Sequence, residues 1–550
     1  MIESKLYIKY RVNGKVYEED LYQNEHYYIE GNVTDDGVKL LLTPKVKMEL
    51  IDFELRYTHN TEPGERFFAN GYQAWTTSKE MVIDDKQKGL GAITYMVPTA
   101  AKLAALTGDY NFGGYSRKAG VFHSFTYTYF RNETKVEFYG SLNERTGFTI
   151  FKCDMKKGTF AVRKELEGVI IDKQYEIINV VKIVGNYDEV FDKYFEMLNV
   201  QKPRIDHLAG YTSWYNYFQK IDENIILRDL EGIDRAKDEV NIFQIDDGYE
   251  TFVGDWLDYC DKFPNGMKYI ADKVHEKGVL AGIWLAPLSV QKVSRTAKEH
   301  PDWLIKDANG KPEIGVFAWG GAYTLDIYNE EVREHIKHFF DVVLNEWGYD
   351  MVKLDFLYSQ CIHPRNGKSR GQLMAEAMDF LRECVGDKLF LGCGVPLGSA
   401  FGVVDACRIS CDVDLKYKGK FYNGLALNNE LPSAKNAINN TIFRRHLNGR
   451  AFVNDPDVFF LRDFNLVFTD EQKELLADIN HMFGNVLFVS DDMGKYDDKA
   501  LEIAKRSFKK SNAMIISAEY VDEDYIVIKY LDEGVKKTLS FNIKTGERAK

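Results

Sequence analysis

From Leu208 onward eight short apolar runs alternate with loops and helical stretches. The runs are Leu208-Ala-Gly-Tyr-Thr-Ser-Trp214, Asn241-Ile-Phe-Gln-Ile-Asp-Asp247, Val279-Leu-Ala-Gly-Ile-Trp-Leu-Ala-Pro287 and Tyr349-Asp-Met-Val-Lys-Leu-Asp-Phe356. They continue with Lys388-Leu-Phe-Leu-Gly-Cys393, Ala406-Cys-Arg-Ile-Ser-Cys-Asp412, Arg450-Ala-Phe-Val-Asn-Asp455 and Val486-Leu-Phe-Val-Ser-Asp-Asp492. Uninterrupted apolar runs of this length suit strands buried on both faces, as in parallel sheets. Eight strand–helix units over roughly 300 residues predict a closed (β/α)8 barrel, a TIM barrel. An open doubly wound sheet alternates too, but no GxGxxG follows the first strand and no phosphate loop occurs. The helices are expected near 227–240, 267–277, 293–300, 330–346, 371–385, 434–447, 470–483 and 497–510.

The flanks read differently. Alternating runs such as Lys5-Leu-Tyr-Ile-Lys-Tyr-Arg-Val12 and Val121-Phe-His-Ser-Phe-Thr-Tyr-Thr-Tyr-Phe130 predict β-structure up to about residue 200. Val12-Asn-Gly-Lys15 and Thr34-Asp-Asp-Gly37 are hairpin signals. A large sandwich accounts for them, with one loop-like interruption at Phe67-Phe-Ala-Asn-Gly-Tyr-Gln-Ala-Trp-Thr76. Strand patterning returns after about residue 512, as in Tyr525-Ile-Val-Ile-Lys-Tyr530. The expected organisation is a multidomain α/β chain: an N-terminal β-sandwich over 1–202, a barrel over 203–511 and a small antiparallel β-domain over 512–550.

A net charge of −13 argues against nucleic acid or an anionic membrane as a partner. No run of 18 apolar residues is present, and Met1-Ile-Glu-Ser-Lys-Leu6 carries no apolar h-region. Seven cysteines without paired spacing fit free thiols in a reducing cytoplasm. Aromatic content of 14% suits β-rich packing or a sugar-handling surface.

In a barrel the residues at the C-terminal strand ends line the site. Here they are Trp214, Asp246, Asp247, Trp284, Lys353, Asp355, Cys393, Arg408, Asp412, Asp455, Asp457, Asp491 and Asp492. The set lacks a metal-spaced His pair, a zinc-type Cys pair and a Ser nucleophile elbow. Asp246-Asp247 alone suits either vicinal hydroxyls or a hard cation. The neighbouring indoles favour a sugar, and no cofactor is expected. Lys353 and Asp355 flank Leu354, so a period-2 strand points both to one face. Two carboxylates on different strands can divide glycoside hydrolysis between them. Asp355, kept ionised by Lys353, suits the nucleophile; Asp412, ending the apolar Ile409 run, suits a drier acid/base. If the strand continues, Asp414 faces the same way and competes for that role. Asp455, Asp457, Asp491 and Asp492 read as structural braces, and the cysteines other than Cys393 as small core residues.

These motifs together resemble glycoside hydrolase family 36, most of all its short bacterial α-galactosidases. The resemblance rests on Gly210-Tyr-Thr-Ser-Trp-Tyr215, Phe243-Gln-Ile-Asp-Asp-Gly248, Gly254-Asp-Trp256, Gly282-Ile-Trp-Leu-Ala-Pro287 and His300-Pro-Asp-Trp303. Lys353-Leu-Asp-Phe356, Leu391-Gly-Cys-Gly394, Arg408-Ile-Ser-Cys-Asp412 and Asn454-Asp-Pro-Asp457 follow in the same order. It implies a retaining exo-acting α-galactosidase with an N-terminal β-supersandwich, acting on oligosaccharides in the cytoplasm, with an oligomeric state left open. It implies Asp355 as nucleophile and Asp412 as acid/base. Asp246 and Asp247 would hold the C4 and C6 hydroxyls, Lys353 would reach C3 or C4, and Cys393 and Arg408 would lie at the C2 side. Trp284, Trp214 and Tyr215 would wall the pocket, and Trp75 would be the N-terminal domain's contribution. The chain departs from the family after Ile409, where Ser410-Cys-Asp-Val-Asp-Leu-Lys-Tyr417 puts Asp414 and Lys416 beside the acid/base. Loop drift explains this, or else a galactosaminidase or α-N-acetylgalactosaminidase specificity. A galactosyl-transferring enzyme, a family 31-like α-glucosidase and a non-catalytic sugar-binding protein are further alternatives.

Overall fold

A computed structural model describes residues 4–91, 105–418 and 431–549. The N-terminal part is two antiparallel sheets. The first has six strands in the order Lys15–Glu19, Ser4–Val12, Met48–Thr58, Thr159–Ile171, Thr149–Asp154, Val121–Phe125. The second has seven, in the order Tyr27–Thr34, Gly37–Pro44, Tyr175–Gly185, Lys135–Ser141, Tyr127–Asn132, Arg66–Ala69, Lys79–Met81. Alternation does the work expected of it: Leu6, Ile8, Tyr10 and Val12 bury one face of the first strand. Both hairpins form, with Val12 opposite Lys15 and Thr34 opposite Gly37. Asn13 and Gly14 both take positive φ, at 49° and 79°, which the two-residue turn demands.

The barrel strands are Leu208–Thr212, Ile242–Ile245, Leu280–Leu285, Met351–Leu354, Leu389–Gly392, Ala406–Arg408, Val453–Phe459 in two pieces, and Val486–Val489. Every pairing among them is parallel. The seventh strand explains how eight runs give nine hydrogen-bonded pieces. Val453–Asp455 pairs with the sixth strand, and Val458–Phe459 pairs with the eighth. Pro456-Asp457 breaks the strand between them, with Asp457 at φ 76°. The eighth strand pairs back onto the first, which closes the ring. Among the described residues, the connection between the fifth and sixth strands holds one short helical turn, Leu397–Ala400. The third strand is followed by an excursion with its own sheet of Ser289–Gln291, Ile314–Val316 and Ala322–Thr324.

Helices start where the chain supplies caps. Asp222, Ser369 and Thr469 accept from the backbone N–H three residues on, at Ile225, Gln372 and Gln472. For Ser369 and Thr469 the glutamine returns the bond, completing capping boxes. Helix Ala434–Phe443 lies beside the sandwich, and strands Met514–Tyr520, Tyr525–Asp532 and Val535–Asn542 form the C-terminal sheet.

Two apolar cores result. One lies between the two N-terminal sheets. The other runs from the outer side of the seven-stranded sheet (Tyr127, Phe138) through Phe191 and the barrel to Phe541 of the C-terminal sheet. Polar contacts cross the same boundary: Arg370 pairs with Glu165 at 2.8 Å, Tyr127 Oη bonds His446 at 2.7 Å, and Tyr520 Oη donates to Asn439 at 2.8 Å. No helix among the described residues is long and apolar enough to cross a membrane.

Candidate active site

The fourth strand ends at Leu354, so Asp355 is the first residue beyond the ladder. Its backbone N–H still bonds Leu285 O at 2.9 Å, which anchors the carboxylate at the strand end. Phe356 N–H donates to Asp355 Oδ1 at 2.7 Å, and the Trp284 indole N–H reaches Oδ2 at 3.3 Å. Phe356 sits in the left-handed region at φ 54°, a conformation costing about 1–2 kcal/mol for a residue with a Cβ. Such strain persists only where surrounding structure enforces it, and it collects at functional sites.

Lys353 and Asp355 do rise from one strand, but Lys353 is paired elsewhere. Its Nζ bonds Asp246 Oδ2 at 2.8 Å, on the second strand's end, with both groups buried. Burial is the largest influence on Asp355 and pushes its pKa up; the Lys353 charge opposes that, and Asp412 adds to it. Lys353 does favour the ionised form of Asp355, as expected, but burial outweighs it and the carboxyl's pKa is raised. Cys393, fully buried after the fifth strand, shares a hydrogen bond with Asp355, and burial and then the Asp355 charge push its thiol pKa well up.

Asp246 also accepts from Gln244 Nε2 at 2.9 Å, and its Oδ1 takes the Asp247 N–H at 3.0 Å. Asp247 is held from two sides. Gln219 Nε2 donates to both of its oxygens at 3.0 and 3.1 Å, and the Trp319 indole N–H donates to Oδ2 at 2.9 Å. Glu250 lies against Asp247; burial, then the Asp247 charge and hydrogen bond, raise its pKa well above the usual range.

Arg408 organises the opposite side. Buried at the end of the sixth strand, it faces three carboxylates: Asp412 Oδ1 at 2.8 Å, Asp457 Oδ1 at 2.8 Å and Asp455 Oδ2 at 3.3 Å. Tyr215 Oη donates to Asp457 Oδ2, and Val413 N–H reaches the same oxygen at 2.8 Å. Burial lifts the Asp457 carboxyl to about 7; Arg408 opposes this, and Asp412 and Asp455 reinforce it. The strand ends at Arg408, earlier than the apolar run suggested, so Asp412 stands in the loop beyond it. Its side chain is 41% exposed and tied to Arg408, rather than dried by the Ile409 run as expected. Asp414 does not share its direction. It is buried, and its Oδ1 accepts the Lys416 N–H at 3.0 Å, closing a turn of its own loop, while Lys416 is exposed.

Trp75 is delivered by the N-terminal part. Its ring meets Phe356 edge-on at 5.7 Å, and its Cη2 lies 3.1 Å from where a Cβ on Gly394 would be. It thus touches the residues immediately following Asp355 and Cys393. Trp284 stacks edge-on with Trp256 at 5.7 Å and Trp319 at 5.9 Å. Trp214 is half-buried, and its ring contact is with Phe218 at 5.1 Å. Asp491 and Asp492 turn to bracing: Asp491 takes Leu461 N–H at 2.7 Å and the Arg462 guanidinium at 2.5 Å, and Asp492 faces Arg228 and Lys495. Among the described residues no group of three or more His, Cys, Asp and Glu side chains could hold a metal ion.

Gln219, Glu250 and Trp319 were not found from the sequence. Trp319 belongs to the excursion after the third strand and takes φ 58° before Gly320-Gly321, both also at positive φ. A tryptophan followed by two glycines was the available signal.

Residues 213–376 match the Melibiase family model. Among curated proteins, the chain is 34% identical over 131 residues to α-galactosidase Mel36A of Lactobacillus acidophilus, covering 22% of this chain and 17% of that protein. It is 31% identical over 130 residues to the A type blood α-D-galactosamine galactosaminidase of Flavonifractor plautii, covering 22% and 12% respectively. These matches span less than a fifth of either relative. The fold likeness is far wider: the α-galactosidase TtGalA of Thermus thermophilus, in complex with p-nitrophenyl α-D-galactopyranoside, superposes with a TM-score of 0.73 at 22% identity, over 96% of this chain and 98% of that one. The family 36 α-galactosidase AgaA of Geobacillus stearothermophilus follows at 0.61 and 12% identity, over 97% and 80%. Residues 213–376 are thus similar to the Melibiase family, and the chain as a whole shares the fold of the family 36 α-galactosidase structures.

Proposed function

We propose that the protein is a retaining, exo-acting α-galactosidase. The observation that carries this reading is the pairing of two unlike carboxyls across a strongly acidic pocket. Asp355 sits at a strand end between Trp284 and Cys393, and Asp412 stands in a loop, partly open to solvent and held by Arg408. Asp355 attacks the anomeric carbon from the β face while Asp412 protonates the departing oxygen; Asp412 then takes a proton from water as that water displaces Asp355. Lys353 pairs with Asp246, Arg408 faces Asp412, Asp455 and Asp457, and Asp355 senses both Lys353 and Asp412, so carboxyls outnumber cations. A site of that balance favours the positive charge that develops at the anomeric centre. Asp246, Asp247 and Lys353 offer acceptors and a donor for ring hydroxyls, and the Trp75, Trp284 and Trp319 rings offer apolar wall. Structural neighbours captured with p-nitrophenyl α-galactoside and with stachyose support an oligosaccharide substrate. Seven free thiols fit a reducing compartment.

The test is a panel of aryl α-glycosides (galactoside, galactosaminide, N-acetylgalactosaminide, glucoside), with NMR identification of the first-formed anomer. Release from the galactoside with α-galactose appearing first is expected. Preference for the galactosaminide would make the 410–417 departure functional, and silence from folded protein across the panel would sink the reading. Within the site, Trp319→Phe removes a donor from Asp247 and should cost about 1–3 kcal/mol of binding. That predicts a rise in KM for the galactoside of roughly fivefold or more, with kcat moved less. An unchanged KM would separate Trp319 from substrate binding.

A further inference from the structure

Helix Ala434–Phe443 buries the polar side chains of Asn439 and Asn440. Its Asn440 side chain accepts Ser78 N–H at 2.9 Å and donates to Ala74 O at 3.0 Å and Thr76 O at 3.1 Å. Just past its C-terminus, Arg444 is fully buried and spends all five N–H groups. Nε donates to Ser78 Oγ at 2.8 Å, and Nη2 to Gln73 O at 2.8 Å and Thr76 O at 2.7 Å. Nη1 donates to Ala74 O at 2.5 Å and Ile409 O at 2.6 Å. One nitrogen therefore holds the residue before Trp75 and the residue three before Asp412. At the other end of the helix, Ser433 N–H bonds Asp412 O at 2.8 Å. No carboxylate compensates this guanidinium among the described residues; its charge is met by carbonyl dipoles, and burial draws its pKa down to about 10.

We infer that Arg444 is a positioning residue that locks the Trp75 loop of the sandwich to the Asp412 loop of the barrel, so that the pocket wall and the acid/base move as one unit. A guanidinium is suited to this and an ammonium is not, since only the planar fork reaches five acceptors in fixed directions. The inference rests on the proposed roles of Trp75 and Asp412, but the coupling itself is independent of them.

Hydrogen exchange of the full chain, read on peptides covering 73–78 and 409–414, separates the two. Arg444→Met should speed exchange in both segments together, and Asn440→Ala in the first alone. Faster exchange in only one segment of Arg444→Met, or in neither, overturns the coupling; Arg444→Lys repeats the measurement if the methionine variant does not fold. Kinetics adds a readout that general loosening would not move. An α-galactoside with a sugar leaving group needs protonation, which general acid catalysis supplies at about 10²–10⁴-fold, whereas a dinitrophenyl group does not. Arg444→Lys should therefore lose on the order of 10²-fold in kcat/KM on the former and under about tenfold on the latter. Equal losses on both substrates overturn the positioning role. If the wild type hydrolyses neither while both segments loosen together, the lock stands and the α-galactosidase reading falls.

Discussion

Asp355→Asn should leave a folded protein that releases no aglycone, with kcat lowered by about 10⁴-fold or more, because the amide cannot form the glycosyl-enzyme bond. The exchange is nearly isosteric: the amide oxygen keeps the acceptor for Phe356 N–H, the amide nitrogen gives up only the long 3.3 Å bond from Trp284, and a carboxyl whose ionisation burial opposes is removed. The lost indole bond and the relieved burial of charge act in opposite directions, so stability should change little, and a thermal melt of the variant separates lost activity from unfolding. The stereochemistry of rescue then assigns the roles. With Asp355→Gly, azide enters from the vacated β face and should give β-galactosyl azide. With Asp412→Ala and an activated aryl galactoside, Asp355 still forms its ester, and azide should open it to the α-galactosyl azide. Finding the two anomers the other way round would exchange the roles of the two aspartates, and no azide product from either would remove the double-displacement scheme.

Lys353→Met is the second large expected effect. Burial works against the lysine's charge, but Asp246 overcomes this and holds the ammonium well above its ordinary pKa. Removing one member of a buried pair strands the other, at about 3–5 kcal/mol. The sign of its pH dependence follows from the raised lysine pKa. The pair's contribution is fully present below the unfolded lysine value of about 10.4 and is lost only as pH rises through the higher folded value. The stability gap between wild type and variant should therefore be level from neutral pH to about 10 and narrow above it. Activity reports a different group. Lys353 opposes the burial that raises Asp355, so its loss should raise that carboxyl further and move the acid limb of kcat/KM to higher pH. Urea melts across pH and a pH–rate profile check the two parts, and an unmoved acid limb would mean that Asp355 does not sense Lys353.

The sequence announces what depends on neighbours in the chain and hides what depends on neighbours in space. The barrel strands were legible because every residue of Ile242–Ile245 and Met351–Leu354 is buried, which leaves runs that are apolar but for Gln244 and Lys353. The Asp355 position followed from where such a run stops. The partner of Lys353 did not, since Asp246 lies 107 residues away and only barrel closure brings the two strand ends together. Asp412 looked dry because Ile409 and Cys411 are apolar; in fact the ladder stops at Arg408, and the loop turns the carboxylate to solvent. Nothing in the spacing of Asn439, Asn440 and Arg444 marks them as buried, yet Asn439 donates to Ser78 O and Asn440 to Ala74 O inside the protein. Polar residues carry no mark in one dimension of whether water or a carbonyl will satisfy them.

The split seventh strand also bears on how the chain is made. The ring shuts only when Val486–Val489 pairs with Leu208–Thr212 on one side and with Val458–Phe459 on the other. Closing a loop of that length is slow, and a ribosome delivers the last strand well after the first. Until then two strand edges stand unpaired, open to intermolecular pairing. Asp457, at the break, is also a partner of Arg408, so the pocket's charge network matures with this last event. Nascent chains lacking residues beyond about 485 should accumulate as aggregation-prone, inactive barrels, and refolding yield should fall steeply with protein concentration.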